Sequence, residues 1–358
     1  MRAAHRAALA VSTAPLAAPF EKEGGLCPPS VKPADDVPRH FVSAPTPSLH
    51  VFSLRNVATV ATTHFADRLA EAVEHKRSQL VVGLDPRPDL LPVELKGEAH
   101  LGRAEAADAC ARFCRGLVDA VAPYVVGVKP QVAFFEALGS DGARALEDVC
   151  AYSRAAGLQV IADAKRGDIG STARAYATAF LERTNGREPL ADAVTVNPYL
   201  GRDSVDPFLA ACRREGAGLF CVIKTSNAGG AEVQDLVLSD GRHVWHQVAE
   251  LVAEWGADLI GEHGLSSVGA VIGATHPRAV GEARRLLPRS ILLLPGVGAQ
   301  GATPADVARA FTSGPASALV NVARNVIYAF RVSGMDWRTA AAAEASKYAR
   351  EVWSVSGW

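Results

Sequence analysis

Eight short apolar runs alternate with helical stretches from about residue 62 onward, and few architectures can accommodate that alternation. The runs are Leu80–Leu84, Tyr124–Val128, Leu158–Ala162, Ala193–Val196, Leu219–Ile223, Val268–Ile272, Ile291–Leu294 and Ala318–Val322. Ahead of them, Phe65, Leu69, Ala72 and Val73 recur at helical spacing. Between them lie the helical patterns Ala104–Val121, Gly142–Ala156, Ser171–Arg183, Val205–Arg214, Val244–Trp255, Pro277–Leu287 and Pro304–Thr312. Repeated strand-then-helix units imply parallel strands joined by right-handed crossovers. Eight such units over roughly 270 residues predict an α/β fold, a (β/α)8 or TIM barrel. An open doubly wound sheet is the competing arrangement.

Residues 1–61 read differently. They are rich in Ala, Pro and Ser, show no sustained period, and are expected to form a disordered extension ahead of a barrel domain at 62–358. Arg2, His5 and Arg6 with no acid among the first 20 residues resemble an organellar transit peptide; a start codon set too far upstream also fits. Otherwise a cytoplasmic location is expected. The net charge of −1 offers no electrostatic case for nucleic acid or an anionic membrane. No apolar run approaches the roughly 20 residues that span a bilayer. The six cysteines, Cys27, Cys110, Cys114, Cys150, Cys212 and Cys221, form no CxxC pair and suggest a reducing compartment. Cys110 and Cys114 fall on one helix face as buried thiols. His243 and His246 read as helix-surface residues, and no metal is assigned.

The chemistry-bearing residues gather where a barrel places its active site, at the C-terminal ends of the strands. Asp85 follows the first run, Lys129 the second, and Asp163 and Lys165 the third. The fourth runs into Asn197-Pro198-Tyr199 and the fifth into Lys224-Thr225-Ser226-Asn227. The seventh enters a loop with Gly296, Gly298, Gln300 and Gly301, and the eighth ends near Asn321 and Arg324. Glycines there allow close backbone approach, and barrels commonly bind phosphate between the loops after strands 7 and 8. Backbone N–H groups, Gln300 and Arg324 are the expected donors.

The densest cluster is Asp163-Ala164-Lys165-Arg166-Gly167-Asp168. A side-chain period of two puts Asp163 and Lys165 on one face. With Lys129, these alternating charges keep one another ionised. A lysine held charged is a poor Schiff-base nucleophile but a good proton donor to a developing carbanion. A carboxylate fixed beside an anionic substrate group disfavours the ground state relative to a transition state that loses that charge. The combination suggests carbanion chemistry on a phosphorylated substrate without a cofactor.

These segments, in order and over about residues 62–352, resemble the orotidine 5′-phosphate decarboxylases. The wording Lys165-Arg166-Gly167-Asp168-Ile169-Gly170, Asn197-Pro198-Tyr199 and Lys224-Thr225-Ser226-Asn227 is similar to the bacterial subgroup called type 2. The resemblance implies conversion of orotidine 5′-phosphate to uridine 5′-phosphate and carbon dioxide, the last step of de novo pyrimidine synthesis. It implies that Lys165 protonates the pyrimidine C6 and that Asp163 lies against the substrate carboxylate. Lys129 would bridge the aspartates and reach the ribose, Asp85 would bind ribose hydroxyls, and Ser226 would contact the pyrimidine amide edge. Gln300, Gly301 and Arg324 would form the 5′-phosphate site. It further implies a homodimer in which Asp168, Ile169 and Thr172 enter the partner's site, and no metal or organic cofactor. Arg166 gains no such role and reads as a structural cation. Ala302 stands where relatives often carry a second glycine. The alternatives are a Mg²⁺-dependent sugar-phosphate decarboxylase or synthase on the same barrel, which shares the Asp-x-Lys-x-x-Asp element, and a nucleotide-binding protein without catalysis.

Overall fold

In the computed structural model, residues 63–96 and 102–358 are described, so the extension read at 1–61 lies outside them. Eight parallel strands close into a barrel in sequence order. They are β1 (Leu80–Leu84), β2 (Gly127–Pro130), β3 (Gln159–Arg166), β4 (Ala193–Val196), β5 (Gly218–Lys224), β6 (Ser266–Ile272), β7 (Ser290–Pro295) and β8 (Ala318–Val322). Pairing of Leu80, Val81 and Val82 with Val320, Asn321 and Val322 completes the ring. The open-sheet alternative is thereby set aside, because an open sheet leaves its two edge strands unpaired.

Each apolar run contributes to one strand, and the largest shifts fall in β2 and β3. The second run reaches the sheet later than its hydrophobicity suggests, with β2 starting at Gly127. The third continues past its apolar residues, so that Asp163 and Lys165 lie within β3 rather than after it. Strand propensity disfavours such charges, but the barrel mouth offers them polar neighbours, and context overrides propensity.

Period-two alternation sorts the strand side chains into two sets. Val81, Ile161, Ala193, Phe220, Val271, Ile291, Leu293 and Leu319 form a buried cluster with the helix Phe65–Lys76. That helix carries Phe65, Ala66, Leu69, Ala70 and Val73 on its buried face, at the spacing that one helix stripe requires. Phe65 meets Phe220 edge-on with centroids 6.0 Å apart. A Cβ on Gly218 would lie 2.4 Å from the Phe65 ring, so glycine is required there by close approach. The other set faces the surrounding helices. The helix Arg103–Val121 buries Cys110, Phe113, Cys114 and Leu117, and Phe113 packs on Tyr328 and Trp337. Cys110 and Cys114 are indeed buried thiols, and burial pushes Cys110 up to about 12.

Two local expectations are corrected. The pattern at Pro304–Thr312 forms a 3-10 helix, Pro304–Phe311, with Val307 and Ala310 buried three residues apart. Three residues per turn is the period that puts both against the core. His243 and His246 are half-buried rather than on the surface, since His243 caps the helix Val244–Trp255 and the two share a capping box.

Arg284 was not singled out by its sequence context, yet it ties the lower barrel together. Its guanidinium is buried and donates to the carbonyls of Ala310 (2.9 Å), Leu287 (2.6 Å), Ser290 (2.9 Å) and Ser317 (2.6 Å). It has no carboxylate partner among the described residues, and burial lowers its pKa to about 10. Arg284→Met leaves those buried acceptors unpaired, and we expect a loss of about 2–4 kcal/mol in urea unfolding with KM unchanged.

Among the described residues, no helix is long and apolar enough to cross a membrane.

Candidate active site

The inward-facing positions at the C-terminal ends of the strands line a cavity of about 510 Å³. Asp85, Lys129, Asp163, Lys165, Ser226, Gln300 and Arg324, from six different strand ends, all reach it. Gln131, Thr195, Lys224, Asn321 and Tyr328 line it too.

Asp163 is the hub. One carboxylate oxygen accepts from Lys129 Nζ at 2.6 Å and from Gln131 Nε2 at 3.2 Å. The other accepts from Lys165 Nζ at 2.5 Å and from Thr195 Oγ1 at 3.0 Å. Burial works against ionisation of Asp163, but Lys129 and Lys165 outweigh it and hold its carboxyl well below the usual range. Burial likewise opposes the charge on Lys129, yet Asp163 and Asp85 outweigh it and raise its pKa. Taking such charges out of water is tolerable only when each is paired and hydrogen-bonded, as here.

Lys165 is held in an unusual conformation. Its φ is +45°, in the left-handed region that non-glycine residues rarely occupy. The β3–β4 register shifts between Ala162 and Arg166, and the Lys165 N–H donates to Thr195 Oγ1 at 2.9 Å instead of to a strand carbonyl. Strain of this kind costs about 1–3 kcal/mol and persists where the surroundings over-determine it. Arg166 helps to do so: it pairs with Glu136 and lies over the rings of Tyr176 and Phe180.

Asp85 sits where β1 ends. Burial raises its pKa, partly offset by Lys129. Its Oδ1 and that of Asn321 are buried acceptors without a donor among the described residues. The loop that follows Asp85 is set by Tyr328, whose hydroxyl donates to the Asp85 carbonyl and accepts from the Arg87 N–H, each at 2.9 Å.

The glycine-rich loop is turned by positive φ at Gly296 (+115°), Gly298 (+82°) and Gly301 (+91°). Two of its amides are taken up within the loop itself. Gly298 N–H donates to the Ala302 carbonyl and Gly301 N–H to the Gly298 carbonyl, each at 2.8 Å. The tight turn takes up these two donors, and the Gln300 side chain reaches the cavity beside Arg324, which follows β8. Gly301 does not line it. Gln300 Oε1 accepts from Ser226 Oγ at 2.7 Å, joining the loops after β5 and β7.

Asp168, Ile169 and Thr172 do not line this cavity. Asp168 Oδ1 accepts from the Ile169 N–H at 2.8 Å, Ile169 is 56 % exposed, and Thr172 is exposed on the helix Gly170–Leu181. Thr195 and Gln131 were not foreseen. Thr195 could have been read from the alternation in β4, while Gln131 carried only its place two residues after Lys129. Among the described residues, no three His, Cys, Asp or Glu side chains converge as a metal cluster.

Residues 78–331 match the model of the orotidine 5′-phosphate decarboxylase / HUMPS family. An orotidine 5′-phosphate decarboxylase from Rhodopirellula baltica is 46 % identical over 270 residues, covering 75 % of this chain and 89 % of that protein. One from Deinococcus radiodurans is 43 % identical over 269 residues, covering 75 % and 90 %. The solved structure of Leishmania donovani OMP decarboxylase superposes with a TM-score of 0.65 at 31 % identity, covering 83 % of this chain and all of that one. With a closed barrel, an Asp-centred lysine pair in its mouth and these relatives along most of its length, the chain belongs to the orotidine 5′-phosphate decarboxylase family.

Proposed function

We propose that this chain converts orotidine 5′-phosphate to uridine 5′-phosphate and carbon dioxide, the closing step of pyrimidine nucleotide synthesis, with Lys165 as the proton donor. The observation that carries the reading is the single carboxylate of Asp163 clamped between Lys129 and Lys165 inside the cavity. In this reading the substrate carboxylate on C6 lies against Asp163. Two like charges in a confined space repel, and the repulsion vanishes as the carboxylate becomes neutral carbon dioxide. The C6–carboxylate bond breaks with its electron pair left on C6. Lys165 Nζ then delivers its proton to C6, and the amine regains a proton from water. A cation beside the developing carbanion stabilises it before transfer.

The other residues bind the nucleotide. Asp85, with its unpaired buried oxygen, accepts from the ribose hydroxyls, and Lys129 reaches the same sugar. Ser226 meets the pyrimidine amide edge. Arg324 and the Gln300 amide hold the 5′-phosphate, and Gly301 shapes that loop. Asp168, Ile169 and Thr172 serve the cavity of a second copy of the chain, in a homodimer. The exposure of Ile169, at 56 %, and of Thr172 supports that reading. The reaction needs no metal or organic cofactor, and the enzyme acts in the cytoplasm.

The test is loss of the ultraviolet absorbance of orotidine 5′-phosphate on addition of purified protein, with and without a chelator. Turnover unaffected by the chelator is expected. A chelator-sensitive rate would favour the Mg²⁺-dependent relatives, and no turnover by folded protein would overturn the assignment.

A further inference from the structure

Lys224 is the one cavity lysine without a part in the chemistry above. It is the last residue of β5 and is buried at 6 % exposure. Its Nζ donates to Asp235 Oδ1 at 2.5 Å, and Asp235 is the only acid within ion-pair distance of it among the described residues. Asp235 belongs to the segment between β5 and the helix Val244–Trp255, the same segment that begins with Thr225, Ser226 and Asn227.

The partners of this segment form a clasp. The Thr225 N–H donates to Gln234 Oε1 at 2.9 Å, and Gln234 Nε2 donates to Thr225 Oγ1 at 2.8 Å. A Cβ on Gly230 would lie 2.7 Å from Thr225 Oγ1, so only glycine lets the chain pass over this pair. His243 Nδ1 lies 2.9 Å from the Asp235 carbonyl oxygen, and His276 Nε2 lies 3.1 Å from that of Thr225. Ser226 is pressed against Gly273, where an added Cβ would come 3.1 Å from its Cβ and backbone nitrogen. Its hydroxyl then reaches Gln300.

We propose that Lys224 and Asp235 act together as a positioning pair that fixes the loop after β5, and through it Ser226, in the geometry that grips the pyrimidine. A buried ammonium cannot leave its one carboxylate without an uncompensated charge, so the pair keeps Asp235 at the strand end. Ser226 is two residues from Lys224 and moves with that loop. Gln300 is hydrogen-bonded to Ser226 but is carried by the loop after β7, so the 5′-phosphate site keeps Gln300 and Arg324 when the pair is lost. The inference rests on the reading of Ser226 as the pyrimidine contact.

The experiment uses the full chain and the variants K224M, D235N, the double variant K224M/D235N and S226A. Uridine 5′-phosphate and ribose 5-phosphate are the titrated ligands, and hydrogen exchange is followed over residues 225–243. K224M and D235N are each expected to weaken uridine 5′-phosphate about tenfold, as for one lost hydrogen bond, while ribose 5-phosphate changes less than about twofold. KM rises in parallel and kcat stays within a few-fold. The double variant loses no more than the worse single one, because the two residues form one unit. Exchange over 225–243 rises in both single variants. Should K224M fail to fold, D235N carries the test, since Asp235 is partly exposed. Unchanged exchange and affinity in D235N would overturn the pair. Wild-type affinity in D235N alongside a loss in K224M would make Lys224 a direct ligand contact instead. Unchanged uridine 5′-phosphate binding by S226A would overturn the underlying reading of Ser226, whatever the loop exchange shows.

Discussion

Lys165→Ala is expected to lower decarboxylation by about 10⁴-fold or more while the barrel stays folded. The side chain is 45 % exposed in the cavity, so its loss opens no core. Asp163 keeps Lys129, Gln131 and Thr195 as partners, so no buried charge is orphaned. The chemistry has no such reserve. Lys129 contacts the other oxygen of Asp163 and is itself buried, whereas Lys165 sits at the mouth on a strained turn that aims it inward. The rate is measured by the ultraviolet assay and the fold by circular dichroism and thermal melting. A residual rate near wild type, with an unchanged melt, would show that another group donates the proton.

The second large effect is the recovery of activity by mixing two dead proteins. Asp168→Ala is expected to be inactive although Asp168 lies outside its own chain's cavity. In the proposed homodimer, a hybrid of Lys165→Ala and Asp168→Ala chains has one site with both lesions and one with neither. Random exchange of a symmetric dimer makes about half of all dimers hybrid, so an equal mixture should regain about a quarter of the wild-type rate. Subunit exchange is verified by mass-tagged chains. No recovery despite proven exchange would remove Asp168 from the neighbour's site and make the decarboxylase site internal to one chain.

Much of this was legible beforehand because barrels write their pattern locally. Each strand grows from one apolar run, and the first helix shows its stripe in Phe65, Leu69 and Val73. The family reading was legible for a related reason: its motifs are short, contiguous and occur at strand ends. The limits were equally physical. Period and hydropathy do not report where hydrogen bonds go, so a glycine-rich loop does not reveal that the Gly298 and Gly301 amides close their own turn. Nor do they report which lone polar residue will be buried by distant carbonyls, as Arg284 is.

By itself the sequence determined that eight strands run parallel with helices between them, that Asp163 and Lys165 share a face through the two-residue period, and that Asp85 and Lys129 stand with them at the strand ends. Only the tertiary structure decided what those charges do to one another. Lys129 and Asp163 are 34 positions apart, and they meet because β2 and β3 pair in a register that puts Val128 beside Val160. The left-handed turn at Lys165 exists because Thr195, from β4, takes the place of a backbone acceptor. A local pattern specifies which way a side chain points. Which partner it finds there is set by closure of the ring, and the energy of a buried charge depends on the partner.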